Sequence, residues 1–239
     1  MKLSALLPGM MAAIGVLAAA SALAQSPSQS PSQAPSPLPN APQQHAPPLA
    51  VTTPHYAERK AGFVQDMARR DVVMLGDSLT EGGDWTSFFP GKAIANRGIG
   101  GDTTEGMGQR LDSVLGVSPR KVFVMAGIND IATFKKPVTE VFEHYKRIID
   151  TLTRAKVQVI VQSTLLTGPA FPPAVNAAVK DLNGRLHALC ARGPCVYVNL
   201  NPVLAPTGTL DLRYTSDHLH LNAAGYQAWV QAITPTMQR

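Results

Sequence analysis

Cysteine, charge and aromatic residues are all scarce in this 239-residue chain, and each shortage closes off a class of function. The two cysteines, Cys190 and Cys195, have no histidine or charge pattern beside them of the kind that stabilises a thiolate, so neither is a candidate nucleophile. Lysine and arginine outnumber aspartate and glutamate by 21 to 16, yet no basic run is longer than Arg69-Arg70 or Lys135-Lys136. A nucleic-acid surface wants a concentrated basic stripe with interleaved aromatics, and the chain has none. Metal chemistry is poorly served as well. His218 and His220 stand in His-x-His order, but no third ligand is spaced to join them.

The N-terminal region also lacks the makings of a fold. Leu3 to Ala24 carries no charge, Lys2 supplies a short positive region, and Ala22-Leu23-Ala24 is a small-x-small pattern after an apolar stretch from Met10 to Ala20. Residues 1–24 are therefore expected to be a signal peptide. Pro8 and Gly9 shorten the apolar helix to well under the ~20 residues a membrane span needs, and no cysteine follows the cleavage pattern to carry a lipid. Residues 25–54 contain no Asp, Glu, Lys or Arg, are rich in Pro, Ser, Gln and Ala, and repeat Ser-Pro-Ser-Gln at Ser26–Gln29 and Ser30–Gln33. So little apolar surface does not offset the entropy of ordering, and a disordered spacer is expected. Residues 55–239 then form one domain of ordinary size. The expected product is an exported protein, periplasmic or secreted, with no transmembrane span after processing. In an oxidising compartment the turn-forming Gly193-Pro194 favours a short-loop disulfide between Cys190 and Cys195; the alternative is two separate reduced thiols.

Within that domain, short apolar runs alternate with helical patterns. Val72–Leu75, Lys121–Met125, Val157–Gln162 and Val196–Leu200 read as strands, with Ala93–Asn96 a weaker one. Their near-continuous hydrophobicity suits strands covered on both faces. Val138, Val141, Phe142, Tyr145, Ile148, Ile149 and Leu152 make one helical stripe after Pro137, and Val175, Ala178, Val179, Leu182, Leu186 and Leu189 another after Pro172-Pro173. A last helix, capped by Asn222, carries Tyr226, Trp229, Val230 and Ile233. This alternation predicts an α/β domain, a parallel sheet between helices, with a site at the strands' C-terminal ends.

Four polar blocks occupy those ends. Gly76-Asp77-Ser78-Leu79 follows the first strand, Gly100-Gly101-Asp102-Thr103 the second, and Gly127-Ile128-Asn129-Asp130 the third; Asp217-His218-Leu219-His220 precedes the last helix. In these blocks and their order the chain resembles the SGNH (GDSL-type) hydrolases. The resemblance spans roughly Asp71 to Asn222 and implies a three-layer α/β/α fold around a flavodoxin-like, five-stranded parallel sheet. It implies Ser78 as nucleophile, His220 as its base and Asp217 as the partner that orients the imidazole. His218 is the rival base, one residue from Asp217. An oxyanion hole is expected from the Ser78 backbone N–H, Gly101 and Asn129, with the choice between Gly100 and Gly101 open by one position. Asp77, Asp102 and Asp130 are expected to cap helices or brace loops. Trp85 and Phe88-Phe89 have two readings, walls of an acyl or sugar pocket or core packing.

The expected activity is that of an exported serine esterase working through an acyl-enzyme, with no cofactor and no metal. Its substrate is expected to be a small-molecule, polysaccharide or lipid ester, foremost a small acyl such as acetyl on a carbohydrate. A lysophospholipase or thioesterase, an O-acyltransferase and a catalytically dead binding module are the alternatives.

Overall fold

The computed structural model describes residues 53–239. The expected signal peptide over 1–24, and the linker up to residue 52, lie outside the described residues. Five strands, β1 (Val72–Gly76), β2 (Ile94–Gly98), β3 (Lys121–Met125), β4 (Gln158–Gln162) and β5 (Val196–Val198), form one parallel sheet in the order β2-β1-β3-β4-β5. Helix α1 (Pro54–Gln65) precedes the sheet. Short helices α2 (Ser78–Glu81) and α3 (Trp85–Phe88) follow β1, and α4 (Thr104–Gly108) and α5 (Leu111–Leu115) follow β2. The longer α6 (Val138–Arg154) and α7 (Pro173–Cys190) flank β4 in sequence, and α8 (Asn201–Leu204) and α9 (Ala223–Gln238) follow β5.

The interior places of β1, β3 and β4 match their burial. Every residue of β1 is buried, and so are the last four of β3 and of β4. Because successive strand side chains point to opposite faces, such runs need cover on both sides, which the flanking helices supply. Each of Val72, Val73, Met74 and Leu75 contributes about 1.5–3 kcal/mol by leaving water. The α6 stripe buries Val141, Tyr145, Ile148, Ile149 and Leu152, and Tyr145 donates its hydroxyl to the Val124 carbonyl at 3.0 Å, fixing the helix on β3. In α9, Asn222 caps the helix by accepting from the Gly225 N–H at 3.0 Å, and Trp229 donates to Gln162 of β4 at 2.6 Å.

Trp85 and Phe89 are core residues. Trp85 is buried edge-on against Trp229, with centroids 5.0 Å apart, and donates to the Thr80 carbonyl; Phe89 joins the same core. Phe88 is half-buried and stacks on Tyr226. The pocket-wall reading of these rings gives way to the packing one.

Cys190 ends α7 and Cys195 directly precedes β5, and the two are joined as a disulfide with Cα atoms 4.6 Å apart. The bridge therefore sits at the N-terminal edge of the sheet. Closing so short a loop stabilises the fold by about 2 kcal/mol in the chain-entropy account. The Cys190→Ser/Cys195→Ser double variant is expected to melt about 4–8 °C lower in calorimetry, with the kcat of the activity expected from the sequence unchanged within twofold at 25 °C, because the opposite edge carries the polar blocks. A large loss of kcat with an unchanged melting temperature would contradict this placement.

Candidate active site

In the order β2-β1-β3 the chain leaves β1 for a neighbour on one side and returns on the other. The C-terminal ends of these three strands thereby flank a single crevice, and the first three polar blocks follow them directly. Gly76 lies opposite Gly98 and Met125 in the register. Approach here is too close for a side chain: a Cβ on Gly98 would stand 2.2 Å from the Glu81 backbone nitrogen.

Asp77 caps α2, its Oδ1 accepting from the Leu79 N–H at 3.0 Å. That bond satisfies the second helical position and leaves the N–H of Ser78, the first position, without a partner among the described residues. The carbonyls behind Ser78 are all engaged. Leu79 O accepts from the Tyr226 hydroxyl at 2.8 Å, Thr80 O from the Trp85 indole, and Asn96 Nδ2 lies 2.9–3.1 Å from the carbonyls of Thr80, Glu81 and Gly83. A turn tied down at so many points presents its serine in one orientation.

The fourth block arrives on the segment between β5 and α9. Ser78 Oγ lies 3.0 Å from His220 Nε2, and His220 Nδ1 lies 2.6 Å from Asp217 Oδ2. The other carboxylate oxygen of Asp217 accepts from the backbone N–H groups of His220 (2.7 Å) and Leu219 (3.0 Å), so aspartate and imidazole turn as one unit. A bridge between Thr215 and Leu221 closes this loop. The slight burial of Asp217 works upward on its carboxyl, but hydrogen bonds from the His220 ring and from the His220 and Leu219 backbone hold it well below the usual carboxylate range. His218 points elsewhere. Its backbone has φ +68°, its carbonyl accepts from the Gly168 N–H at 2.7 Å, and its Nδ1 has no partner.

The three candidate oxyanion donors follow β1, β2 and β3 at the same edge of the sheet. The Gly100 N–H is taken by Glu81 Oε2 at 2.5 Å, whereas the Gly101 N–H has no acceptor among the described residues. Gly101 also adopts φ +76°, a conformation that costs glycine nothing. Asn129 opens a single π-helical turn over Asn129–Thr133, and its Nδ2 donates to the Asp102 carbonyl at 3.0 Å. An amide nitrogen has two hydrogens, so one holds the side chain in place and one stays available.

The neighbouring aspartates brace this arrangement. Asp102, fully buried, pairs with buried Arg110 at 2.7 Å, and Asp130 accepts from the backbone N–H and the hydroxyl of Thr104. Arg110 also donates to the Gly76 carbonyl at 3.1 Å. Burial pushes the Asp102 carboxyl up to about 6 despite the guanidinium beside it, and raises Asp130 against its bonds from Thr104. Asp77 is pushed up to about 7, chiefly by burial, with its Leu79 bond opposing and the charges of Asp102 and Asp130 adding. Arg110 was not among the candidates read from sequence. An arginine between two short helices, α4 and α5, carries no motif, and only its burial reveals it. Among the described residues no three or more His, Cys, Asp or Glu side chains group as metal ligands, and no helix is long and apolar enough to cross a membrane.

Comparison with known proteins agrees with this architecture. Residues 74–228 match the model of the GDSL-like lipase/acylhydrolase family. The chain is 28% identical over 149 residues to the N-acylneuraminate cytidylyltransferase of Streptococcus agalactiae, across 62% of this chain and 34% of that protein. It thus spans about a third of the length of the curated relatives it matches first. Over 187 residues it is 26% identical to platelet-activating factor acetylhydrolase IB subunit alpha1 of Rattus norvegicus, across 74% of this chain and 80% of that one. The solved structure of a GDSL-like lipase from Bacteroides thetaiotaomicron superposes with a TM-score of 0.64 at 26% identity, covering 77% of this chain and 95% of that one.

The raised Asp77 carboxyl has a consequence for stability. Between its ordinary value of 3.8 and about 7, the folded chain holds a proton that the unfolded chain releases, so stability falls as pH rises through that window. Asp77→Asn keeps an acceptor for the Leu79 N–H but removes the titration. Its melting temperature is expected to fall less steeply than that of the parent between pH 5 and 7. Parallel profiles for the two proteins would place the Asp77 titration outside that window.

Proposed function

The chain belongs to the GDSL-like lipase/acylhydrolase family, and from that premise we propose an exported serine esterase that removes a small acyl group, acetyl foremost, from a carbohydrate. The observation that carries this reading is the continuous chain from Ser78 Oγ through His220 to Asp217, at 3.0 and 2.6 Å. A serine hydroxyl is a poor nucleophile at neutral pH until a base takes its proton, and His220 Nε2 stands within reach of that proton.

As Ser78 Oγ bonds to the ester carbonyl carbon, its proton passes to Nε2, and Asp217 stabilises the imidazolium through Nδ1–H. The carbonyl oxygen becomes negative and is received by the N–H groups of Ser78 and Gly101 and by the second amide hydrogen of Asn129. Collapse breaks the bond to the alcohol, which leaves with the proton from His220. Water then repeats the sequence on the acyl-enzyme, releasing the carboxylic acid and restoring Ser78. Protein groups and water complete the cycle.

The preference for a small acyl on a bulky carrier rests on three supports. The His220 side chain is 48% exposed and that of Asp217 51%, an open rim that admits an ester borne on a large alcohol. Trp85 and Phe89 belong to the core, so they do not line a long acyl channel. Two relatives carry names that speak of an acetylhydrolase and of an acylated sugar.

A fluorophosphonate probe is expected to label Ser78 stoichiometrically, and Ser78→Ala to abolish both labelling and esterase activity. In a nitrophenyl ester series kcat/KM is expected to fall from acetate to octanoate, with acetate released from acetylated polysaccharide. Labelling at another serine would sink the nucleophile assignment, and a rise toward octanoate would move the substrate to lipids. His220→Ala is expected to lower kcat by roughly 10⁴-fold and His218→Ala by less than about tenfold; the reverse order would contradict the assignment of the base.

A further inference from the structure

Helix α1 lies before the residues that match the family model, yet it grips the loop that carries Gly100 and Gly101. Tyr56 and Phe63 of α1 form a satellite cluster with Ile99, the residue directly before Gly100, and all three are at most 3% exposed. Arg59 donates to the Gly98 carbonyl from Nη2 at 3.0 Å and lies over the Phe63 ring at 5.1 Å. The Tyr56 hydroxyl reaches the Gly106 carbonyl of α4 at 3.4 Å. One face of the helix thus holds the loop on either side of the two glycines.

The joint is Glu81, at the end of the helix that Ser78 opens. Its Oε1 lies 3.0 Å from Arg59 Nε and 3.0 Å from His55 Nε2, and its Oε2 accepts from the Gly100 N–H at 2.5 Å. A carboxylate only accepts hydrogen bonds, so each of these partners donates to it. Such charge-assisted bonds are the stronger kind. Engaging the Gly100 N–H fixes the peptide that precedes the Gly100–Gly101 peptide, and of the two glycines only Gly101 keeps an N–H with no acceptor among the described residues.

We infer that Glu81 is a positioning residue, and α1 the strap behind it, which together hold the Gly101 N–H in the place an oxyanion would occupy. The inference rests on Gly101 as oxyanion donor in the proposed esterase. It adds that Glu81, which takes the neighbouring Gly100 N–H, is itself held by Arg59 and His55 from outside the family's matched residues. A donor whose peptide is free to turn loses most of its effect in the transition state and little in substrate binding.

The test uses the full chain and the variants Glu81→Ala, Glu81→Gln and Arg59→Ala, with 4-nitrophenyl acetate as substrate and hydrogen exchange read over residues 98–104. Glu81→Ala is expected to lower kcat by about 10–100-fold with KM within threefold. Exchange over 98–104 is expected to rise by roughly tenfold or more, as loss of a charged acceptor would give. Arg59→Ala is expected to shift both in the same direction by less, and Glu81→Gln, which keeps an acceptor for Gly100, to restore most of kcat. Wild-type kcat and exchange in Glu81→Ala would overturn the inference, as would equal losses in the Ala and Gln variants. Esterase activity surviving in Ser78→Ala would instead count against the nucleophile, because the exchange rates read the strap directly.

Discussion

One buried guanidinium ties the three strand ends together. Arg110 donates through Nε to Asp102 and through Nη2 to the Gly76 carbonyl, while the Asp102 carbonyl receives the Asn129 amide. The end of β1, the loop after β2 and the turn after β3 are thus linked within two hydrogen bonds of a single side chain. Burying a carboxylate and a guanidinium costs several kcal/mol per ion, and only close geometry offsets it. The pair is weak evidence for stability in itself. Its effect is on arrangement: with either partner removed, an uncompensated charge would remain buried beneath the crevice, so the fold tolerates one placement of these loops.

Around that pair the electrostatics divide by depth. Asp77, Asp102 and Asp130 lie buried, and their carboxyls are raised; Asp217 is half-exposed and lowered by its donors. The carboxylate whose ionised form is most favoured is therefore the one beside His220, where in the proposed cycle a developing imidazolium benefits from it. The three buried ones serve as acceptors for Leu79, Thr103 and Thr104 and hold the backbone. In the proposed cycle the hole consists of uncharged donors, which stabilise a developing oxyanion without competing for the Ser78 proton.

Much of this was legible in the sequence because it is local. β3 is found at its expected bounds, and Asn222 caps α9 as a side chain three residues from Gly225 should. Ser78, Gly101, Asn129, Asp217 and His220 stood out as separated polar blocks, and the fold brings Ser78, His220 and Asp217 within hydrogen-bond reach. What was not legible depends on contacts distant in sequence. The choice between Gly100 and Gly101 turns on which N–H Glu81 takes. Arg110 gains its meaning from Gly76, 34 positions away. Helix α1 buries only Tyr56 and Phe63, seven residues apart, too thin a stripe to read as a core face. Trp85 and Phe89 were ambiguous because an aromatic after a nucleophile has the same composition whether it lines a pocket or fills the core.

The measurement that tests the proposed site most directly is the split of kcat and KM in Asn129→Ala, taken with the melting temperature of the same sample. The side chain meets the carbonyl oxygen chiefly once it is negative, so its loss should fall on turnover. The expected result is a kcat lowered by roughly 10²–10³-fold, a KM within a few-fold, and a folded protein. An unchanged kcat per folded molecule with a lowered melting temperature would contradict the account, leaving Asn129 as a turn residue that only supports Asp102.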